Sequence, residues 1–81
     1  MRIHLSKKAE KFLLKTDRLT ERRVRLALEG LKTKPPKGDI KHYKALSDCL
    51  RLRVGSFRVI FYIEDDVIWV VDIDSRGQIY D

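Results

Sequence analysis

The sequence predicts an α+β fold, with an N-terminal strand and a helical hairpin packed on one face of a small, mostly antiparallel, twisted sheet. Three observations lead there. Two consecutive segments carry apolar residues at helical spacing on one side only. The run Leu50–Ile63, LRLRVGSFRVIFYI, alternates about a central Gly55-Ser56 pair. A second apolar run, Val67–Ile73, follows the acidic stretch Glu64-Asp65-Asp66. Helices and sheet then have one apolar face each, and stacking the two layers buries both.

Taken in order, Arg2 to Leu5 alternates polar and apolar residues and fits a short first strand with Ile3 and Leu5 on one side. Ser6 is placed to cap a helix over Lys7–Lys15, where Ala9, Phe12, Leu13 and Thr16 share one face and Lys7, Lys8, Lys11 and Lys15 take the outside. A second helix is expected to start with Thr20 as its cap and Leu19 packed on Val24 as a hydrophobic staple. Its apolar face is Val24, Ala27, Leu28 and Leu31. Gly30 costs that helix roughly 1 kcal/mol relative to alanine, and Pro35-Pro36 with Gly38 ends it. Residues 38–48 lack a clear period and read as a connection across the sheet edge, anchored by Tyr43 and Leu46.

A Gly-X pair suits a type II′ turn with glycine first, which pairs Val54 with Phe57, Arg53 with Arg58, Leu52 with Val59 and Arg51 with Ile60. One side of this ribbon is Leu50, Leu52, Val54, Phe57, Val59, Phe61 and Ile63; the other carries Arg51, Arg53 and Arg58. For the last strand a three-residue loop is expected, pairing Ile63 with Val67. It puts Val67, Trp69, Val71 and Ile73 in the core and Asp72 opposite Arg58. Ser75-Arg76-Gly77 is a turn, and Gln78 to Tyr80 returns along the sheet. The face away from the helices is then open, with Arg51, Arg53, Arg58, Ile60, Tyr62 and Asp72 on it and Arg76 and Tyr80 at its rim. Like charges opposite each other on a sheet cost roughly 0.2–1 kcal/mol, so three arginines together imply an anion. Guanidinium groups for phosphates and rings for bases suit single-stranded nucleic acid, with Arg51, Arg53, Arg58 and Tyr62 as the RNA-binding residues.

Composition sets the bounds. With 81 residues the chain is expected to be one domain, 1–81, with a single modest core. Eighteen Lys and Arg against 12 Asp and Glu leave a net charge of +6, which favours a polyanionic partner. Cys49 is the only cysteine, so no intrachain disulfide forms; it is expected to be structural and inert. His4 and His42 are too few and too scattered for a metal site, and no cofactor is expected. Neither a signal-peptide run nor a span of about 20 apolar residues is present, so a cytoplasmic location without membrane contact is expected.

The segment RLRVGSFRVIFYI, the acidic loop and the apolar strand ending in SRGQIY resemble the RelE/ParE superfamily of bacterial and archaeal toxins. The pattern there is an R-L-R-V-G-x-[YF]-R-V-x-[YF] hairpin and a terminal R-G-x-[IV]-Y, matched here from Asp39 to Tyr80. The resemblance implies a RelE/ParE-like fold and a toxin of a type II toxin–antitoxin system. In the RelE branch that is a metal-independent endoribonuclease, an mRNA interferase acting on messenger RNA at the ribosome. It also implies inhibition by a cognate acidic, RelB-like antitoxin. Residue by residue, the catalytic positions fall on Arg51 and Arg53, then Arg58, Arg76 and Tyr80. Arg51 and Arg53 stand where several relatives have lysine, and Ser75 where many have histidine, so the resemblance supplies no general base. Two alternatives share the fold: a ParE-type inhibitor of DNA gyrase, and a catalytically inactive module that binds RNA or antitoxin.

Overall fold

The computed structural model describes residues 1–75. The elements run β1 (Arg2–Leu5), α1 (Lys7–Lys15), α2 (Arg18–Gly30), β2 (Asp39–His42), β3 (Leu50–Val54), β4 (Phe57–Glu64) and β5 (Val67–Asp74). The strands form one five-stranded sheet in the order β1-β5-β4-β3-β2. β1 lies parallel to β5, and every other pair is antiparallel. Both helices cover one face. Their Ala9, Leu13, Val24, Leu28 and Leu31 meet Leu52, Val59, Phe61, Ile68, Val70 and Ile73 in one continuous core. Among the described residues no helix is long and apolar enough to cross a membrane.

Ser6 caps α1 as expected: its Oγ accepts from the Ala9 N–H at 3.1 Å and donates to the Val71 carbonyl at 2.7 Å, tying the helix start to β5. The second helix begins earlier than expected. Asp17 is the cap, accepting from the Thr20 N–H at 3.2 Å, so Thr20 lies inside the helix and the proposed staple fails, with Leu19 59% exposed. A carboxylate outcompetes a hydroxyl here because it adds charge to the helix N-terminus. The hydrogen bonds to Thr20 hold the Asp17 carboxyl below its ordinary value.

Residues 39–42, read above as connection, form edge strand β2, with Asp39 opposite Arg53 and Lys41 opposite Arg51. Ile40 is its one apolar contact with the core, too little for a period-two pattern to stand out. From Tyr43 to Cys49 the chain closes a loop, with the Tyr43 N–H donating to the Cys49 carbonyl at 3.0 Å. Tyr43 anchors it, whereas Leu46 is exposed.

The β3–β4 hairpin has the expected register, with Gly55 at φ +62 and Ser56 not at positive φ, as a II′ turn requires. The β4–β5 register differs from the expectation. Asp65 and Asp66 both take positive φ, 53 and 60, which makes a two-residue type I′ turn pairing Glu64 with Val67. Aspartate enters the left-handed region more readily than most residues because its short side chain bonds locally. Every side chain of the first half of β5 is thereby inverted. Ile68 and Val70 enter the core, and Trp69 turns to the opposite face beside Tyr62. A bulge follows, with Phe61 opposite Val70 but Ile60 opposite Asp72. The extra residue, Val71, restores Ile73 to the core and sets Asp74, not Asp72, opposite Arg58. The turn and tail proposed for 76–80 lie outside the described residues.

Gly38 has φ +135, and a Cβ there would lie 2.5 Å from Leu52 Cδ1 in the core. Gly38→Ala is expected to destabilise the fold by about 2 kcal/mol, read as a lower urea midpoint at unchanged slope. Asp17 gives a pH signature. Its folded pKa is depressed, so its contribution is present above the unfolded carboxyl value and is lost as pH falls through the folded one. The stability gap between wild type and Asp17→Ala should therefore be full at neutral pH and shrink below about pH 4, measured by urea unfolding across that range.

Candidate functional site

The second sheet face is not open. Arg51 and Arg58 are only 2% and 4% exposed, and Ile60 and Cys49 are buried with them; Arg53 alone of the three arginines is exposed. Alternation along β3 and β4 puts Arg51, Arg53 and Arg58 on this face, with Arg53 directly opposite Arg58. The repulsion foreseen from the sequence is offset within the chain. Arg58 Nε donates to Asp74 Oδ1 at 2.9 Å and Nη2 to Oδ2 at 3.4 Å, a bidentate pair. The Tyr43 ring lies 5.1 Å from its Cζ, within cation–π range. Arg51 Nη1 donates to the Asp39 carbonyl at 3.1 Å and lies 3.5 Å from Asp39 Oδ1. Asp72, expected beside Arg58, instead meets Lys8 at 3.4 Å.

Two guanidinium forks are thus fixed by carboxylate and backbone before any ligand arrives, beside an exposed third. Of the three, Arg53 is the guanidinium open to an incoming anion, and an exposed guanidinium held beside fixed neighbours can stabilise negative charge. It cannot supply a general base, because arginine stays protonated at any physiological pH. Cys49 adds no nucleophile: burial, with Asp48 nearby, pushes its thiol up and keeps it protonated. Among the described residues no group of His, Cys, Asp and Glu converges as a metal site requires. Arg76 and Tyr80 lie outside the described residues.

Tyr62 is half-buried on this face, and the expectation that Trp69 belongs to the core is overturned. The Trp69 ring stacks on Tyr62 with centroids 6.2 Å apart and planes 15° apart, and His4 lies 5.0 Å from it on the other side. Beside Tyr62 is a cleft of about 860 Å³ bordered by Leu46, Cys49, Ile63 and Val71. Sequence reasoning missed Asp39, Tyr43, Asp74, Trp69 and His4 as members of this face. Asp74 needs the bulge, Asp39 needs β2, and His4 needs the parallel β1–β5 pairing, none of which has a local sequence signal.

Removing one partner of a buried ion pair is more damaging than removing both. Asp74→Ala should cost about 3 kcal/mol, and Arg58→Met with Asp74→Ala together should cost less than Asp74→Ala alone, both read by urea unfolding.

A family model described as the ParE toxin of the type II toxin–antitoxin system, parDE, matches residues 3–80. No curated protein matches the sequence. A chain of the RelB–RelE antitoxin–toxin complex from Methanococcus jannaschii is 26% identical, with TM-score 0.71 over 95% of this chain and 94% of that one. For the archaeal RelE–RelB complex from Pyrococcus horikoshii OT3 the values are 26%, 0.77, 95% and 96%. A chain of the intact E. coli RelBE complex, 15% identical at TM-score 0.73 over 91% of this chain and 94% of that one, shares the fold. With the family match running through nearly the whole chain, and the same two helices on a five-stranded mixed sheet, this protein belongs to the ParE toxin family of type II toxin–antitoxin systems, within the RelE/ParE superfamily.

Proposed function

We propose that this toxin is a metal-independent endoribonuclease that cleaves messenger RNA, acting in the cytoplasm at the ribosome as one domain over residues 1–81. The observation that carries the reading is the convergence of Arg51, Arg53 and Arg58 on one sheet face, two of them held by Asp39 and Asp74. In the proposed reaction the 2′-oxygen loses its proton and attacks the adjacent phosphorus. The bond to the 5′-oxygen breaks, that oxygen takes up a proton, and a 2′,3′-cyclic phosphate and a 5′-hydroxyl remain. The phosphorane carries more negative charge than the ground state, so fixed guanidinium donors lower the barrier. Arg53 is the cation placed to meet the incoming phosphate, Arg51 and Arg58, each paired with a carboxylate, fix the face on which it stands, and Arg76 and Tyr80 are added to the site by resemblance.

A net charge of +6 supports an acidic antitoxin segment as the inhibitory partner, in keeping with neighbours described as complexes of RelE with RelB. A second reading, inhibition of DNA gyrase without RNA cleavage, is favoured by the ParE description of the family model and by the burial of Arg51 and Arg58.

Induction without antitoxin separates the two. The ribonuclease reading expects messenger fragments ending in a cyclic or 3′-phosphate, with normal supercoiling. Arg53→Ala, at an exposed position, should keep the fold and lower cleavage on the order of a hundredfold if it contributes one transition-state contact. Growth arrest with intact messenger RNA and gyrase trapped on DNA would establish the second reading instead.

A further inference from the structure

We propose that the groove between α2 and the free edge of β1 takes an extended acidic segment of a partner polypeptide, the antitoxin in this case, which adds a strand to the sheet there. The inference rests on the partner being acidic, not on which activity the toxin has. β1 is the outermost strand on its side of the sheet. The N–H groups of Arg2 and Ser6 donate to the carbonyls of Asp66 and Val70, and main-chain groups alternate between the two edges of a strand. Those of Ile3 and Leu5 therefore point outward, where no other strand lies. An edge of this kind is a template for one more chain. Against it lies a groove of about 670 Å³ lined by the apolar Ile3, Leu26 and Leu28, with Leu26 73% exposed.

Charge decides the occupant. Residues 7–37, the helical hairpin and the turn that ends it, hold 11 Lys and Arg against four Asp and Glu, whereas residues 38–75 hold five against seven. The positive excess of the chain thus belongs to the helical layer, not to the sheet face that carries the arginine cluster. Within the groove Glu21 is paired with Arg25 at 3.0 Å and Glu29 with Lys32 at 3.1 Å. Arg18 and Arg22 line it too, exposed and without an ion pair among the described residues. Two cations are left for carboxylates that a partner brings, and the field of the hairpin steers such a segment toward them. Every second side chain of an added strand faces the groove, so apolar residues meet Ile3 and Leu28 while acidic ones reach Arg18 and Arg22. The leucines and the strand edge select a polypeptide over a nucleic acid, because a sugar–phosphate backbone cannot continue a β-ladder.

The probe is a peptide repeating Val-Thr-Glu-Thr, with two controls: the same peptide N-methylated along its backbone, which cannot pair as a strand, and one with lysine for glutamate. Titrated into the full chain and followed by amide NMR shifts, the first should move Ile3 and Leu5 of β1 and Arg18 and Arg22 of α2. Both controls should bind about tenfold more weakly. Arg18→Glu combined with Arg22→Glu, at exposed positions, should keep the fold and lower affinity by a similar factor, with Ile3 and Leu5 still shifted at saturation. Equal binding of the N-methylated peptide overturns the added strand. Movement at Arg53 with α2 silent overturns the location while keeping the acidic partner, and tighter binding of the lysine peptide removes the acidic partner as well. A single-stranded RNA that moves Arg18 and Arg22 while the acidic peptide moves nothing makes the groove a nucleic-acid track and overturns the proposal, as does the absence of any shift up to millimolar peptide.

Discussion

The register of β5 is the constraint on which the second sheet face depends. A two-residue turn at Asp65-Asp66 sends Trp69 away from the core, and one extra residue, Val71, sends Ile73 back into it two pairs later. A plain continuation of the ladder would put either the near half or the far half of β5 on the wrong side, because side chains alternate with a period of two. The bulge lets one strand satisfy both halves. Ile68, Val70 and Ile73 all face the helices, while Trp69 and Asp74 both face away. It lies beside the Ser6 hydroxyl, which donates to the Val71 carbonyl, so the start of α1 is tied to the irregular residue.

The arginine cluster follows from this geometry. Three guanidinium groups on adjacent strands repel one another, and burying two of them adds a desolvation cost of several kcal/mol per ion unless they are paired with good geometry. Asp74 provides that geometry for Arg58 through a bidentate contact, with the Tyr43 ring beside the guanidinium. Asp39 provides it for Arg51 from the edge strand. The supports come from β5, β2 and the loop after β2, so the cluster is orientated by parts of the chain far apart in sequence. Fixed orientation is what charge stabilisation in a reaction requires, since donors that need not move cost nothing at the moment of reaction. The same pairing makes the cluster part of the fold, so in the proposed ribonuclease reading stability and phosphate recognition would rest on the same side chains.

Fold class, the first strand, the first helix with its cap, the body of the second helix though not its start, and the Gly55 hairpin are legible in the sequence, because each is set by interactions within a few residues: a cap, an apolar face at helical spacing, a glycine at positive φ. The arginine cluster is legible for the same reason, since one two-residue turn determines which residues of β3 and β4 share a face. Tertiary structure alone decided the rest. Asp39 joins the site through a four-residue edge strand with little periodicity. Asp74 replaces Asp72 through a bulge, and His4 reaches Trp69 through a parallel pairing between the first and last described strands. A bulge and a parallel pairing carry no local signature: they are chosen by the burial of Ile68, Val70 and Ile73 against two helices, a free energy summed over the whole core.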